Sequence, residues 1–205
     1  MNYNIIPLFP SVVFQSKLNN NYEKLFENLK TSTEFQEHTT SKNCYSSKKF
    51  NILNDHKELK DDILHTFNFF KNEVLNYHST SFEITTSWIT KVESNSISHF
   101  HNHKNCLYSG VLYFDNLENC APIEFSDDNL KPQSFIINKP SNFNNYNCST
   151  WNIHPAKNNI LFFPSYLNHR VGLHQSNVPR YSLAFNLIPV GIFGYCDSSL
   201  NINSN

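Results

Sequence analysis

Three histidines alternate along residues 98–103, and their spacing is suited to binding a metal ion. If this segment is an extended strand, His99, His101 and His103 project to one face. Two imidazoles at positions i and i+2 of a strand can reach one ion from the same side, which is a common arrangement in mononuclear sites of β folds. The spacing alone also fits a polar strand end with exposed imidazoles, so the hypothesis needs support from elsewhere in the chain.

Further support comes from His169, which follows an apolar strand and a Pro-Ser turn, and from Arg180, eleven residues later. Arg180 stands in an otherwise apolar strand, with Ser182 on the same face. Burying a guanidinium is costly unless an anion pairs with it, and its planar fork matches a carboxylate. The partner is either a ligand carboxylate or a protein Asp or Glu, unless the strand is an exposed edge. Only two of the 16 basic residues are arginines, Arg170 and Arg180, so Arg180 is the first residue to mutate.

Short β-prone segments, separated by Asn, Asp, Pro and Ser turns, must position these residues. Nine such segments in little over 100 residues predict a sandwich or barrel, and a double-sheet jelly roll fits best. Because the chain has only four glycines, we expect asparagine at many left-handed turn positions. The predicted strands span 82–92, 98–103, 108–115, 122–125, 134–137, 148–153, 159–163, 167–173 and 180–188.

The first 80 residues have a different pattern. Residues 5–14 predict an edge strand, residues 22–30 a short helix, and residues 55–77 a longer amphipathic helix capped by Asp55. The fold class is therefore mainly β with N-terminal helices (α+β). We expect one domain over residues 1–205, with the strand and helices at about 1–80, the jelly-roll core at about 82–190 and a short C-terminal tail.

Composition excludes several classes of function. Sixteen basic and 17 acidic residues give a net charge of −1, which provides no basic surface for nucleic acid or anionic membranes. The five widely spaced cysteines include no C-x-x-C pair, so neither a zinc ribbon nor a disulfide framework is expected. No apolar run reaches the roughly 18 residues of a membrane-spanning helix, and no signal-peptide pattern begins the chain. We expect a cytoplasmic protein.

The order of these motifs resembles the Fe(II)/2-oxoglutarate-dependent dioxygenases, and most closely a group of oxygenases from marine bacteria, cyanobacteria and their phages. The resemblance covers most of the chain. It rests on the segment Ile6-Pro7-Leu8-Phe9-Pro10, on Ser87-Trp88, and on the H-x-H-x-N type segment that precedes Ser109-Gly110-Val111-Leu112-Tyr113. It also includes Phe163-Pro164-Ser165 with His169, and Arg180-x-Ser182. It implies a double-stranded β-helix core, the jelly-roll, cupin-like fold that the strand pattern also predicts.

The resemblance also implies roles for individual residues. His101 and His169 match metal ligands, and His103 stands where most of the superfamily has an aspartate. Arg180 matches the residue that binds the far carboxylate of 2-oxoglutarate, with Ser182 beside it and Tyr113 donating to the same carboxylate. Either His103 ligates as a third histidine, or the coordination shell is completed by an acid from elsewhere or left open as in halogenases. A His99/His101 pair is a lesser option.

The implied activity is oxidative decarboxylation of 2-oxoglutarate to succinate with hydroxylation of an unidentified substrate, a small molecule or a protein side chain. Fe(II) and 2-oxoglutarate are the expected cofactor and cosubstrate, with ascorbate as a candidate reductant and a homodimer slightly ahead of a monomer. Two alternatives are a cupin-type three-histidine dioxygenase that does not use 2-oxoglutarate, and a non-enzymatic jelly-roll binding or phage structural protein. Tyr108, Phe125, Trp151 and Phe185 are candidate pocket walls, and His174 is expected at the surface.

Overall fold

The computed structural model describes residues 1–116, 118–126 and 141–203. The predicted strand at 134–137 lies outside the described residues. Eleven strands, two α-helices and two 3₁₀ turns form the described chain. The strands are β1 (Phe14–Lys17), β2 (Phe35–Glu37), β3 (Cys44–Ser47), β4 (Ser81–Val92), β5 (Tyr108–Tyr113), β6 (Ile123–Ser126), β7 (Thr150–Ile153), β8 (Asn159–Pro164), β9 (Asn168–Val171), β10 (Arg180–Phe193) and β11 (Leu200–Ile202).

Both predicted helices are present. Helix α1 spans Glu23–Ser32 and α2 spans Lys57–Glu73, after a 3₁₀ turn at Ile52–Asp55. The capping prediction is wrong, because α2 begins after His56 and has no side-chain cap. The Asp55 carboxylate instead binds the ammonium group of Lys49. Neither described helix is both long enough and apolar enough to cross a membrane.

Two antiparallel sheets form the body of the fold. The larger sheet has the strand order β1-β8-β5-β10-β4-β3-β2, and β11 pairs with the end of β10. The smaller sheet has the order β7-β6-β9. Seven of the predicted strands are confirmed as β4 to β10, with bounds that differ by a few residues. The short strands β2, β3 and β11 were not predicted.

Two predicted strands are wrong. Residues 5–13 form no strand, and pairing begins only at Phe14, opposite Phe162 of β8. Residues 98–103 form no strand ladder either. This part of the chain makes only isolated bridges, one from Ser96 to His174 just before the segment and one from His101 to His169 within it. Local β propensity did not suffice, because a strand also needs a continuous partner backbone.

The helices and the smaller sheet cover opposite faces of the larger sheet. Phe67 and Phe70 of α2 are fully buried against Phe162 and Phe185 in the main aromatic core. On the other face, a second apolar cluster joins the two sheets and consists of Val111, Tyr113, Ile123, Phe125, Leu161 and Phe163. The strands of the larger sheet therefore have one face in the aromatic core and one face toward the smaller sheet.

Asparagine takes most of the left-handed positions, as the scarcity of glycine predicted. Of the eight described non-glycine residues with positive φ, six are asparagines: Asn43, Asn76, Asn95, Asn105, Asn119 and Asn158. The five cysteines are all free thiols, in agreement with the sequence.

Gly110 of β5 lies opposite Phe185 of β10, where no side chain fits. A Cβ at this position would lie 2.4 Å from the Phe185 ring and 2.8 Å from the Leu161 carbonyl oxygen. We expect Gly110→Ala to lower the free energy of unfolding by about 1–3 kcal/mol, the usual cost of overpacking a core. Urea denaturation measures this change. Ser81→Ala, at an exposed position of β4, is the control, and equal stability of the two variants would contradict the packing argument.

Candidate metal and cosubstrate site

The structure brings three histidines together from two separate parts of the chain. His101 and His103 lie in the connection between β4 and β5, and His169 lies in β9. One ring nitrogen from each falls within 4.8 Å of the others. The backbone sets this position, because His101 and His169 exchange N–H···O=C bonds of 3.0 and 2.9 Å. These three residues are the only group of metal-ligating side chains found among the described residues.

Hydrogen bonds fix the ring orientations of two of these histidines. The Nδ1 atom of His101 lies 2.9 Å from the His99 carbonyl oxygen, and that of His169 lies 2.9 Å from the Leu167 carbonyl oxygen. Because a carbonyl only accepts, each Nδ1 carries the proton, which leaves the Nε2 lone pair free for a metal. His99 thus contributes its carbonyl group and is not part of the three-histidine cluster, so the structure does not favour the lesser option of a His99/His101 pair.

Burial keeps the inner histidines neutral. It lowers the pKa of His103 to about 4, with the neighbouring His101 as a second cause. It lowers the pKa of His169 to about 3, again with His101 contributing, while the hydrogen bond to Leu167 opposes the change. Metal ligation requires the unprotonated imidazole, so both side chains are in the binding form at neutral pH.

Arg180 is buried and lacks an acidic partner. Its side chain is 2% exposed, with Nε donating to the Ala121 carbonyl at 3.3 Å and Nη1 donating to the Ser182 hydroxyl at 3.1 Å. Every ion pair of the described residues involves other side chains. A carboxylate of the described residues is therefore excluded as the counter-ion of Arg180. An exposed edge strand is excluded too, because β10 lies between β5 and β4 in the larger sheet.

The other ionisable groups near Arg180 are uncharged. Burial raises the pKa of the Cys44 and Cys120 thiols, although the Arg180 guanidinium opposes the rise in both cases. Burial also raises the pKa of Tyr113 to about 12, against the same opposition. The guanidinium thus lies beside two neutral thiols and a neutral phenol, which is a costly arrangement for a buried cation unless an anion pairs with it.

Tyr113 offers an unused donor beside this cation. Its ring lies against the guanidinium, whose carbon is 5.1 Å from the ring centroid. The Tyr113 hydroxyl is buried and its proton has no acceptor among the described residues, although the Arg180 guanidinium is near enough to favour the ionised phenol. Across the strand pair, the Ser182 hydroxyl lies 2.7 Å from the Thr90 hydroxyl, which holds it in place. A cation, a free phenol and an oriented hydroxyl form a site suited to a carboxylate.

One cavity of about 1060 Å³ connects the histidine cluster to Arg180 and Ser182. Its walls come from the larger sheet, from the loop between β2 and β3, and from residues 98–103 and β9. The four predicted pocket-wall residues do not line it. Tyr108, Phe125 and Phe185 are core residues, and Trp151 is exposed on β7. Trp88 was not predicted as a pocket-wall residue, but it lines the cavity, and its ring lies 5.5 Å from that of His103. Its alternation with Thr90 along β4 was the available signal.

His174 is a correction to the sequence analysis, which placed it at the surface. It is fully buried, its Nδ1 accepts a 3.3 Å bond from the Ala121 N–H and its Nε2 lies 2.8 Å from the Val178 carbonyl oxygen. Ala121 also accepts the bond from Arg180, so His174 supports the segment that holds the guanidinium. Its surroundings in sequence are turn-like, and only the tertiary contacts bury it.

A comparison with family profiles decides the classification. The profile described as "Putative 2OG-Fe(II) oxygenase" matches residues 86–186, the stretch that contains the histidine cluster, Tyr113, Arg180 and Ser182. Over residues 86–186, the chain matches the 2OG-Fe(II) oxygenase family. It is therefore a 2-oxoglutarate-dependent Fe(II) oxygenase, and both readings without 2-oxoglutarate are set aside. No curated protein sequence matches this oxygenase. The narrower resemblance to enzymes from marine bacteria, cyanobacteria and phages stays a prediction.

Solved structures confirm the double-stranded β-helix fold. HygX from Streptomyces hygroscopicus, with nickel, 2-oxoglutarate and hygromycin B bound, is 9% identical with a TM-score of 0.61, covering 87% of this chain and 83% of HygX. A Pseudomonas putida prolyl-4-hydroxylase is 10% identical with a TM-score of 0.56, covering 86% and 92%. A Trichoplax adhaerens prolyl hydroxylase, in complex with a hypoxia inducible factor peptide fragment, is 11% identical with a TM-score of 0.60, covering 86% and 83%.

The unpaired Tyr113 hydroxyl leads to a prediction about stability. In the ligand-free protein its buried proton has no acceptor in the part of the chain that the structure describes, which costs free energy. We expect Tyr113→Phe to raise the free energy of unfolding of the ligand-free protein by about 1 kcal/mol, measured by urea denaturation without metal or 2-oxoglutarate. Tyr108→Phe, on the opposite face of β5, is the control and gains nothing. A clear loss of stability in Tyr113→Phe would show that the hydroxyl has a partner already.

Proposed function

We propose that His101, His103 and His169 hold the Fe(II) ion of this oxygenase, and that Arg180, Ser182 and Tyr113 hold the distal carboxylate of 2-oxoglutarate. The observation that carries the proposal is the buried Arg180 guanidinium, which has no protein carboxylate among the described residues and lies in one cavity with three imidazoles. A metal ion would bind the imidazoles at one end of the cavity, and a dicarboxylate would supply the anion that Arg180 lacks at the other end.

The reaction that follows is hydroxylation of a substrate C–H bond. When bound, Fe(II) and 2-oxoglutarate supply the oxidising chemistry: dioxygen gives one atom to the substrate and one to succinate, and carbon dioxide is released. The protein orients the cosubstrate by fixing its far end on Arg180, so that its keto acid end is directed toward the histidines. Phe163 and Phe125 pack around His169, with ring centroids at 4.8 and 6.0 Å, and exclude water from that ligand.

Three neutral imidazoles give the site a different charge from the usual two histidines and one carboxylate. They leave both positive charges of Fe(II) uncompensated, and Arg180 adds a third within the same cavity. A dianionic cosubstrate is therefore the favoured partner on electrostatic grounds. The same argument implies that placing an acid at position 103 weakens the attraction for 2-oxoglutarate while it keeps the metal.

The substrate class is a small molecule or a protein side chain. Solved relatives support both, because HygX carries hygromycin B and the Trichoplax adhaerens enzyme carries a peptide fragment. The proposed single domain over residues 1–205, a homodimeric state, a cytoplasmic location and the use of ascorbate stay predictions.

The direct test of the proposed function combines two measurements. Under anaerobic conditions, Fe(II) and 2-oxoglutarate together should produce a weak visible charge-transfer band that neither produces alone. With oxygen admitted, 2-oxoglutarate should be converted to succinate, slowly without substrate and faster with one. A protein that binds Fe(II) but shows no band and no succinate would contradict the proposal.

The metal ligands are tested one by one. We expect alanine at positions 101, 103 or 169 to weaken Fe(II) binding at least about 100-fold, because each loses a direct ligand. His99→Ala is the matched control and keeps Fe(II) affinity. His103→Asp should retain Fe(II) and bind 2-oxoglutarate more weakly than the parent. Anaerobic calorimetry measures both affinities. Unchanged Fe(II) binding in His103→Ala would leave a two-histidine site with an open position.

The role of Arg180 predicts a selective loss of cosubstrate affinity. Arg180→Gln should raise the dissociation constant of 2-oxoglutarate at least about 30-fold, since it removes the charged partner of a buried carboxylate. Fe(II) binding should change little. The control is Arg170→Gln, because Arg170 lines the same cavity but is already paired with Glu124 at 2.6 Å. A charge-transfer band that persists at the parent's 2-oxoglutarate concentration in Arg180→Gln would refute the assignment.

A further inference from the structure

The cavity extends well beyond the proposed cosubstrate site. On β10, Arg180, Ser182, Ala184 and Asn186 face it in alternation, a row of about 20 Å at roughly 3.3 Å per residue. Opposite them on β4 lie Val92, Thr90, Trp88 and Thr86, each paired with one member of that row. A five-carbon dicarboxylate held at Arg180 is much shorter than this row. The end formed by Trp88, Thr86 and Asn186 is therefore left for another molecule.

This end lies next to the metal cluster. The Trp88 ring is 5.5 Å from the His103 ring and 6.2 Å from the Phe50 ring, and both Trp88 and Phe50 line the cavity. Ala184, the strand partner of Trp88, is small and leaves the face of the indole open to the cavity. A flat apolar group that packs on Trp88 lies beside the three histidines, where oxidation takes place.

A chain of hydrogen bonds supplies polar groups at the same end. The Ser109 hydroxyl donates to Asn186 Oδ1 at 2.8 Å, so its other contact, at 2.8 Å, is donated by Ser165. Asn186 Nδ2 then donates to the Thr86 hydroxyl at 3.0 Å. Each group in this chain therefore donates its hydrogen bond to the next one, from Ser165 through Ser109 and Asn186 to Thr86. An amide has two N–H donors and a hydroxyl has one, so one N–H of Asn186 and the hydroxyl proton of Thr86 have no acceptor among the described residues.

No unpaired charged side chain lies at this end of the cavity. Arg170 is paired with Glu124. The Glu37 carboxylate keeps its charge but lies toward the Arg180 end, because its strand partner Tyr45 is in register with Lys91 and Tyr181. No other Asp, Glu, Lys or Arg lines the described cavity apart from Arg180 at its opposite end. A charged ligand group placed between Trp88 and Asn186 would lose its hydration without gaining a counter-ion.

We infer that Trp88, Thr86 and Asn186 form the substrate subsite, and that they select an uncharged molecule which presents a carbonyl or hydroxyl oxygen beside an apolar ring. The ring packs on Trp88, and the oxygen accepts from Thr86 and Asn186. The inference rests on the proposed function, because it assumes that Arg180 is taken by 2-oxoglutarate. Thr86 and Asn186 act here as specificity-determining residues.

The test uses three probes that share one ring: cyclohexanecarboxamide, cyclohexanecarboxylate and cyclohexylmethylamine. The exposed Trp151 is first replaced by Phe, so that Trp88 is the only indole that emits. Each probe is titrated into the anaerobic complex with Fe(II) and 2-oxoglutarate, and tryptophan fluorescence is recorded. The carboxamide should bind at least about 10-fold more tightly than the carboxylate or the amine. The carboxylate and the amine each carry a charge into the subsite, and the carboxamide does not.

Variants then locate the binding. Thr86→Val should weaken carboxamide binding about 5- to 10-fold, and Asn186→Leu at least as much, by loss of donors. Thr150→Val, the same substitution at an exposed position of β7 outside the cavity, is the matched control and changes nothing. The 2-oxoglutarate charge-transfer band must persist in all three variants, since its loss would count against the proposed function and not against the subsite. Equal binding of the carboxylate, equal binding in Thr86→Val and Thr150→Val, or no carboxamide binding while the band is present would overturn the inference.

Discussion

The alternation of side chains along β10 is the constraint on which the other features depend. This strand lies between β4 and β5 in the larger sheet. One of its faces packs in the core, and the other lines the cavity. Leu183, Phe185 and Leu187 are fully buried in the aromatic core beneath the helices. Arg180, Ser182, Ala184 and Asn186 line the cavity. A slip of one residue in register would exchange these two sets, so the apolar packing that stabilises the sheet also fixes where the guanidinium lies. Gly110 enforces the register from β5, because it leaves the space that the Phe185 ring fills.

The site consists largely of groups whose binding capacity the protein itself leaves unused. The imidazoles of His103 and His169 are held neutral by burial, the Arg180 charge has no carboxylate among the described residues, and the Tyr113 hydroxyl has no partner there. Each arrangement costs free energy in the ligand-free chain. In the proposed function, an iron ion and a dicarboxylate satisfy them together, which would link binding energy to the stability of this region. The oriented hydrogen bonds from Ser165 to Thr86 extend the same principle to the proposed substrate end.

Local sequence patterns predict the structure of this protein where pattern and tertiary environment agree. Helix α2 was predictable because its apolar residues recur at helical spacing and do pack on one face. The alternation in β10 was readable for the same reason. Local patterns do not predict strand pairing that depends on a distant partner. Strands β2 and β3 are short and partly polar, and they form because β4 offers an edge to extend. Residues 5–13 have β-prone composition but no backbone partner.

The sequence by itself determined the types of residue at the site, their order and the family to which they belong. The H-x-H segment, the distal histidine and the Arg-x-Ser strand are local patterns, and motif order is preserved in sequence. Only the tertiary structure decided which of these residues meet. A two-bond backbone pairing between His101 and His169 selects His101 and His103 over His99, and contacts with Ala121 bury His174. The absence of a carboxylate beside Arg180 among the described residues is likewise a fact of three dimensions, since counter-ions and hydrogen-bond partners come from segments far apart in the chain.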